Sequence, residues 1–288
     1  MPLVDTAAML RAERAAGRAV GAFEPYNLEQ IEAVLEAAEA ESAPVIVQLW
    51  SEVLETFGFP ALCAAIRELA RRSPVPIAVH LDHATDDELI DGALEAGFQS
   101  VMFDGSRLPY EENVERTRDV VRRARPYGAA VEAELGIIGN IAEYASEEEA
   151  QDAVRKLLTT PEQAAEFVRA TGVDILAPAV GSIHGCKLPF ARLDLPRIRA
   201  IVEATGVPVA LHGGSGVGEE QVRAAVGAGV AKVNVDAEVR TLAIAALRDA
   251  AGRIGHEEND WVDYARAPRA IKAVTRDAVR ARIRLLRA

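Results

Sequence analysis

Short runs of β-branched and small apolar residues recur along the chain, and between them apolar positions fall at helical spacing. The short runs predict strands at 20–24, 44–49, 76–82, 99–103, 128–135, 173–180, 208–212 and 230–235. The intervening pattern predicts amphipathic helices at 27–40, 85–97, 110–124, 160–172 and 218–230. Punctuation agrees with it: Thr85 and Glu88 have capping-box spacing, and Gly97, Gly172 and Gly206 stand where helices end. Alternating strands and helices are the pattern of βα units on a parallel sheet. Polar clusters just after strands, with the even rhythm, favour a TIM (β/α)8 barrel with extra terminal helices over an open doubly wound sheet. One connection, 136–159, is longer than a βα loop needs and is expected to be a lid or mobile functional loop.

Composition changes little in this picture. The 288 residues are half apolar, and the apolar positions are spread evenly, so one domain over 1–288 is expected. No run approaches ~18 uninterrupted apolar residues and the first residues lack the core of a signal peptide, which predicts a soluble, cytoplasmic protein without membrane partners. Cys63 and Cys186, far apart, are expected to be reduced thiols. A formal net charge of -12 argues against a nucleic-acid partner. The tail is basic, with Arg266, Arg269, Lys272, Arg276, Arg280, Arg282, Arg284 and Arg287, and is expected to be a terminal helix with a solvated or subunit-facing basic side.

The candidate chemistry lies at the strand ends. Asp82 and His83 follow the third strand, Asp104 the fourth, and His184 and His212 the sixth and seventh, while Glu132 and Glu134 share one face of the fifth. Two carboxylates entering a barrel are unfavourable unless a cation or strong donors compensate. Imidazoles and carboxylates converging from separate strands suit a borderline divalent ion such as zinc, with an open position for substrate. The stretch LHGGSGVG at 211–218 could bring backbone N–H groups close to an anion after the seventh strand, where barrels commonly hold phosphate.

Taken in order, several motifs carry a resemblance: G-A-F-x-x-x-N-L-E at 21–29, H-L-D-H at 80–83, F-D-G-S at 103–106, V-E-A-E-L-G at 131–136, H-G at 184–185, L-H-G-G-S-G at 211–216 and K-V-N at 232–234. The chain resembles the class II, metal-dependent ketose-bisphosphate aldolases. That resemblance implies a zinc-dependent lyase, a homodimer or homotetramer, cleaving a ketose (bis)phosphate or related sugar through a metal-stabilised enediolate. It implies His83, His184 and His212 as zinc ligands, Glu134 and Asp104 near a second divalent position, and Glu132 behind the ligands. Asp82 would move the proton on the oxygen at the bond made or broken, with His80 as structural support. Gly185, Gly213, Gly214, Ser215, Asn234 and Asp236 would hold a phosphate.

The departures fall on the substrate side. Glu24 stands where the family usually has Asn, Trp50 near a usual small hydroxyl, Ala237 in place of a Thr, and Cys186, Lys187 and Leu188 where a Tyr is common. The family's loop reads Gly-Gly-x-Glu; here Gly139, Asn140, Ile141 and Ala142 occupy that register, so Glu143, one place later, is the candidate for moving the proton of the ketose carbon. These differences leave open a non-phosphorylated or differently charged donor, or a non-catalytic sugar-phosphate-binding subunit.

Overall fold

The computed structural model describes residues 3–51, 53–54, 58–186, 189–252 and 260–288. Eight parallel strands close into a barrel in chain order: β1 (Val20–Phe23), β2 (Val45–Leu49), β3 (Ile77–Ala84), β4 (Ser100–Phe103), β5 (Ala130–Leu135), β6 (Ile175–Pro178), β7 (Val209–Leu211) and β8 (Val230–Val235), with β8 paired to β1. Every expected strand is present, and helices cover the outer face. Both faces of such strands are buried, which is why they read as nearly continuous apolar runs.

Two halves of the barrel interior differ in chemistry. At the floor, Val20, Ala22, Ile46, Ala78, Ala130, Ile175, Ala177 and Ala210 pack against Ala7, Met9 and Leu10 of the helix Thr6–Ala15. Small strand residues leave room for that helix, which plugs the bottom and is tied to the sheet by Thr6 Oγ1 donating to Ser100 Oγ at 3.0 Å. Above the floor the interior turns polar, with His80, Glu132 and Lys232 fully buried.

Three expectations are corrected by the structure. Asp86, not Thr85, caps the helix Asp87–Glu95: its carboxylate accepts from the N–H groups of both Glu88 and Leu89, satisfying two free donors of the first turn. The connection 136–159 is not loop throughout, because it forms the 3₁₀ turn Ile141–Glu143 and the helix Glu147–Arg155. That helix buries Ala150 and Val154 against Ile183 and Cys186. The basic tail helix Asp260–Leu286 pairs within the chain: Lys272 binds Glu32 and Glu36, Arg280 and Arg284 bind Glu41, Arg282 binds Glu238, and Arg287 binds Glu13. Lys272, Arg280 and Arg284 thus meet the acids on the helix Leu28–Ala40 and at its C-cap Glu41.

Candidate active site

The cavity at the C-terminal mouth of the barrel has a volume of about 520 Å³. How His83 reaches it is a matter of backbone. Strict alternation along β3 would put His80 and Asp82 inward and His83 outward. The register slips between Leu81 and Ala84, and His83 takes a left-handed φ of 46°. A non-glycine residue in that region is strained by about 1–3 kcal/mol. The bulge turns His83 into the cavity that Asp82 already faces.

His83, His184 and His212 converge there, their ring centroids 4.9, 4.8 and 5.6 Å apart pairwise. Each ring has one nitrogen fixed by an acceptor: His83 Nδ1 lies 2.8 Å from Asp104 Oδ2, His212 Nε2 lies 2.7 Å from Glu132 Oε1, and His184 Nδ1 lies 3.2 Å from the Ile138 carbonyl. Carboxylates and carbonyls accept only, so those nitrogens carry the protons. The remaining nitrogens, His83 Nε2, His212 Nδ1 and His184 Nε2, then present lone pairs; the first two are 3.0 Å apart and His184 Nε2 has no hydrogen-bond partner. Facing lone pairs repel unless a proton or cation lies between them. The three rings offer ligand atoms within 4.8 Å of one another, and so does the group His83, Asp104 and Glu134. Imidazoles oriented by acceptors on their far side are what a zinc or similar ion requires, so the residues fit such a group.

Electrostatics point the same way. Burial disfavours a charged His83, yet Asp82, the Asp104 hydrogen bond and Glu134 outweigh it and push its pKa up to about 10. His184 is driven down to about 3 by burial and by His83 and His212. Burial, with Asp104 beside it, raises the Glu134 carboxyl to about 8, although Ile138 N–H donates to its Oε1 at 3.1 Å. The carboxylates around His83 therefore favour positive charge on that side of the cavity.

Beneath the histidines lies a residue the sequence reading passed over. Lys232, fully buried, sets its Nζ 2.8 Å from Glu132 Oε2 and 3.3 Å from His80 Nε2. His80 continues to Ser100 Oγ through Nδ1 at 2.8 Å. Burial opposes an ionised Glu132, but Lys232 and the His212 hydrogen bond hold its pKa below the usual range. Alternation on β8 puts Lys232 on the same side as Asn234, so the K-V-N motif contained the signal.

The turn after β7 needs glycine for its own backbone packing. Gly213 has φ 63°, and a Cβ there would lie 2.6 Å from the Ile183 carbonyl oxygen. A left-handed non-glycine costs about 1–2 kcal/mol before any clash, so Gly213→Ala is expected to destabilise the chain by more than that, read as a lowered denaturant midpoint, and to displace His184 next to Ile183. Gly185, Gly213, Ser215, Asn234 and Asp236 line the cavity, together with Gly216. Gly214 packs instead against the Asn234 carbonyl, where a Cβ would stand 2.6 Å away. Asp236 is held bidentately by Arg240 at 3.1 and 3.0 Å and accepts from the Tyr26 hydroxyl at 2.7 Å. Glu143 lies at the rim and pairs with Arg107. Cys63 and Cys186 are free and buried, and burial pushes the Cys186 thiol up to about 11. Lys187 and Leu188 lie outside the described residues.

No helix among the described residues is long and apolar enough to cross a membrane. A model of the family described as fructose-bisphosphate aldolase class-II matches residues 4–288. The chain is 36% identical over 289 residues to the fructose-bisphosphate aldolase of Geobacillus stearothermophilus, covering 98% of this chain and 95% of the relative. It is 37% identical over 297 residues to that of Thermus caldophilus, covering 95% and 96%. Its backbone is similar to the YdjI aldolase of Escherichia coli K12, with a TM-score of 0.84 at 27% identity over 99% of this chain and 97% of that one. With a closed barrel, three converging imidazoles and a match over nearly its whole length, the chain belongs to the class-II fructose-bisphosphate aldolase family and is an aldolase-type lyase.

Proposed function

We propose that this chain carries out reversible aldol cleavage of a ketose phosphate or closely related sugar, with His83, His184 and His212 holding zinc. The observation that carries this reading is the convergence of three imidazole lone pairs whose partner nitrogens are each fixed by an acceptor. When bound, the ion supplies Lewis acidity to substrate oxygens at the bond being broken. Asp82 takes the hydroxyl proton at that bond during cleavage and returns it during condensation. It is held for the task by Gln48 Nε2 at 3.1 Å and Asn234 Nδ2 at 3.3 Å. Burial works against its charge, but His83, the His80 hydrogen bond and Lys232 keep its pKa well below the usual range, so it is ionised.

Glu143 moves the proton at the ketose carbon, leaving its ion pair with Arg107 to do so. Asp104 and Glu134, beside His83, would hold a second divalent position. The phosphate would meet the turn at Gly213 and Ser215, with Gly185, Asn234 and Asp236 around it and Gly214 buried behind the turn; Arg240 offsets the Asp236 carboxylate there. Chelation followed by dialysis should lower ketose cleavage at least about a hundredfold, and zinc should restore it. A metal-free preparation of undiminished activity would remove this reading.

A further inference from the structure

The ends of β4 and β5 part beside His83. Their pairing stops at Phe103 with Ala133, and the next residue, Asp104, turns its N–H to the Ala84 carbonyl of β3 at 2.8 Å. β5 runs on alone on that side. The Leu135 carbonyl accepts from Ala179 N–H, just past β6, at 3.0 Å, so alternation points the Glu134 carbonyl the other way, to where β4 has left the ladder.

Asn113, on the helix Tyr110–Ala124 and only 3% exposed, takes up that place: its Nδ2 donates to the Glu134 carbonyl at 3.1 Å. A carbonyl only accepts, which fixes the amide nitrogen there and turns Oδ1 to Thr117, whose hydroxyl donates to it at 3.0 Å. Gly105 lies against the same amide, so closely that a Cβ on it would stand 2.3 Å from Asn113 Oδ1. One buried side chain thus touches both the residue after Asp104 and the backbone of Glu134. The carboxylates of those two residues stand behind His83, with Asp104 Oδ2 at 2.8 Å and Glu134 Oε2 at 3.9 Å from its Nδ1. No strand pairing sets their spacing, so the brace does.

We propose that Asn113 is a positioning residue: it holds the Asp104 turn and the end of β5 at the spacing that aims His83 Nε2 at the ion. This rests on the reading above, in which His83, His184 and His212 hold zinc. Asn113 offers nothing to the ion itself, because both ends of its amide are engaged.

The test titrates metal-free wild type, Asn113→Ala, Gly105→Ala and Thr117→Val with zinc and with cobalt(II), and records the melting temperature of each. Asn113→Ala removes the brace. Gly105→Ala presses on it from the other side, at a residue whose backbone does not need a positive φ. Thr117→Val takes a hydrogen bond from the same amide but leaves the one to Glu134, so it reports structural loss without loss of the brace. Groups that orient a ligand are worth roughly 10- to 100-fold in metal affinity, and Asn113 acts one step behind them, so zinc affinity should fall at least about fivefold in Asn113→Ala and in Gly105→Ala. The visible absorption of bound cobalt(II), which follows ligand geometry, should change in both. Thr117→Val should melt lower yet keep its zinc affinity within about twofold and its cobalt absorption unchanged. Either of the first two variants suffices if the other fails to fold. A smaller loss in a folded Asn113→Ala or Gly105→Ala, or a loss of that size in Thr117→Val, would overturn the proposal while leaving the zinc reading in place. A wild type that takes up no zinc would instead sink that reading, and this assignment with it.

Discussion

Asp82→Asn is expected to lower ketose cleavage by about 10²- to 10⁴-fold, the usual contribution of a positioned acid or base, while leaving bound zinc unchanged. The separation follows from geometry. Asp82 lies 3.9 Å from His83 Nε2 at its nearest and is not among the residues offering convergent ligand atoms. The amide replacing it loses the capacity to take a proton, and it faces one of two amide N–H groups with the wrong atom, a mismatch of about 1–3 kcal/mol in stability. Glu143→Ala should give the complementary result: exchange of the donor ketone's proton with solvent slows, because that proton belongs to the other half of the reaction. Measuring cleavage and exchange on both variants separates the two roles. If Asp82→Asn cleaves within about threefold of wild type while holding zinc, Asp82 is not the proton carrier; unchanged exchange in Glu143→Ala removes Glu143.

These roles were legible to different degrees along the chain. Strands buried on both faces leave continuous apolar runs, so the barrel could be read from VGAF, VIVQL and their counterparts without coordinates. His184 and His212 could be placed near one another once that barrel was assumed. His83 could be placed at the right strand end but not on the right face, because a period of two cannot foresee the bulge that turns it inward. The segment 136–159 misled through its length, although EEEAQDAVR repeats its apolar residues at helical spacing and does form a helix. The tail's cations have few acids near them in sequence, whereas Lys272, Arg280 and Arg284 find theirs, Glu32, Glu36 and Glu41, on and at the end of a helix more than two hundred residues away. Pairing at that distance follows from barrel closure, which places the last helix beside the helix after β1. Lys232 was overlooked for a related reason: a lysine within an apolar strand makes sense only when its carboxylate on another strand is known.

That lysine carries the second large effect. Lys232→Met is expected to destabilise the metal-free chain by about 3–5 kcal/mol, the range for breaking a buried ion pair on one side. It leaves Glu132 fully buried with its cation gone. Glu132 would then take up a proton or lose order, and either change weakens the acceptor that fixes the His212 tautomer. Partners of this kind are worth roughly 10- to 100-fold in metal affinity, so zinc titration should show a loss of that size. A paired variant separates the two consequences. In Lys232→Met/Glu132→Leu no charge is left stranded, and replacing both members of a buried pair with apolar groups is often close to neutral. Stability should recover in large part, while zinc affinity stays low because His212 Nε2 still lacks its acceptor. Chemical denaturation of the metal-free proteins and competitive zinc titration of the same samples give both numbers. A cost below about 1 kcal/mol for Lys232→Met would mean that Glu132 does not depend on that ammonium for its charge, and the account of how His212 is held would have to be abandoned.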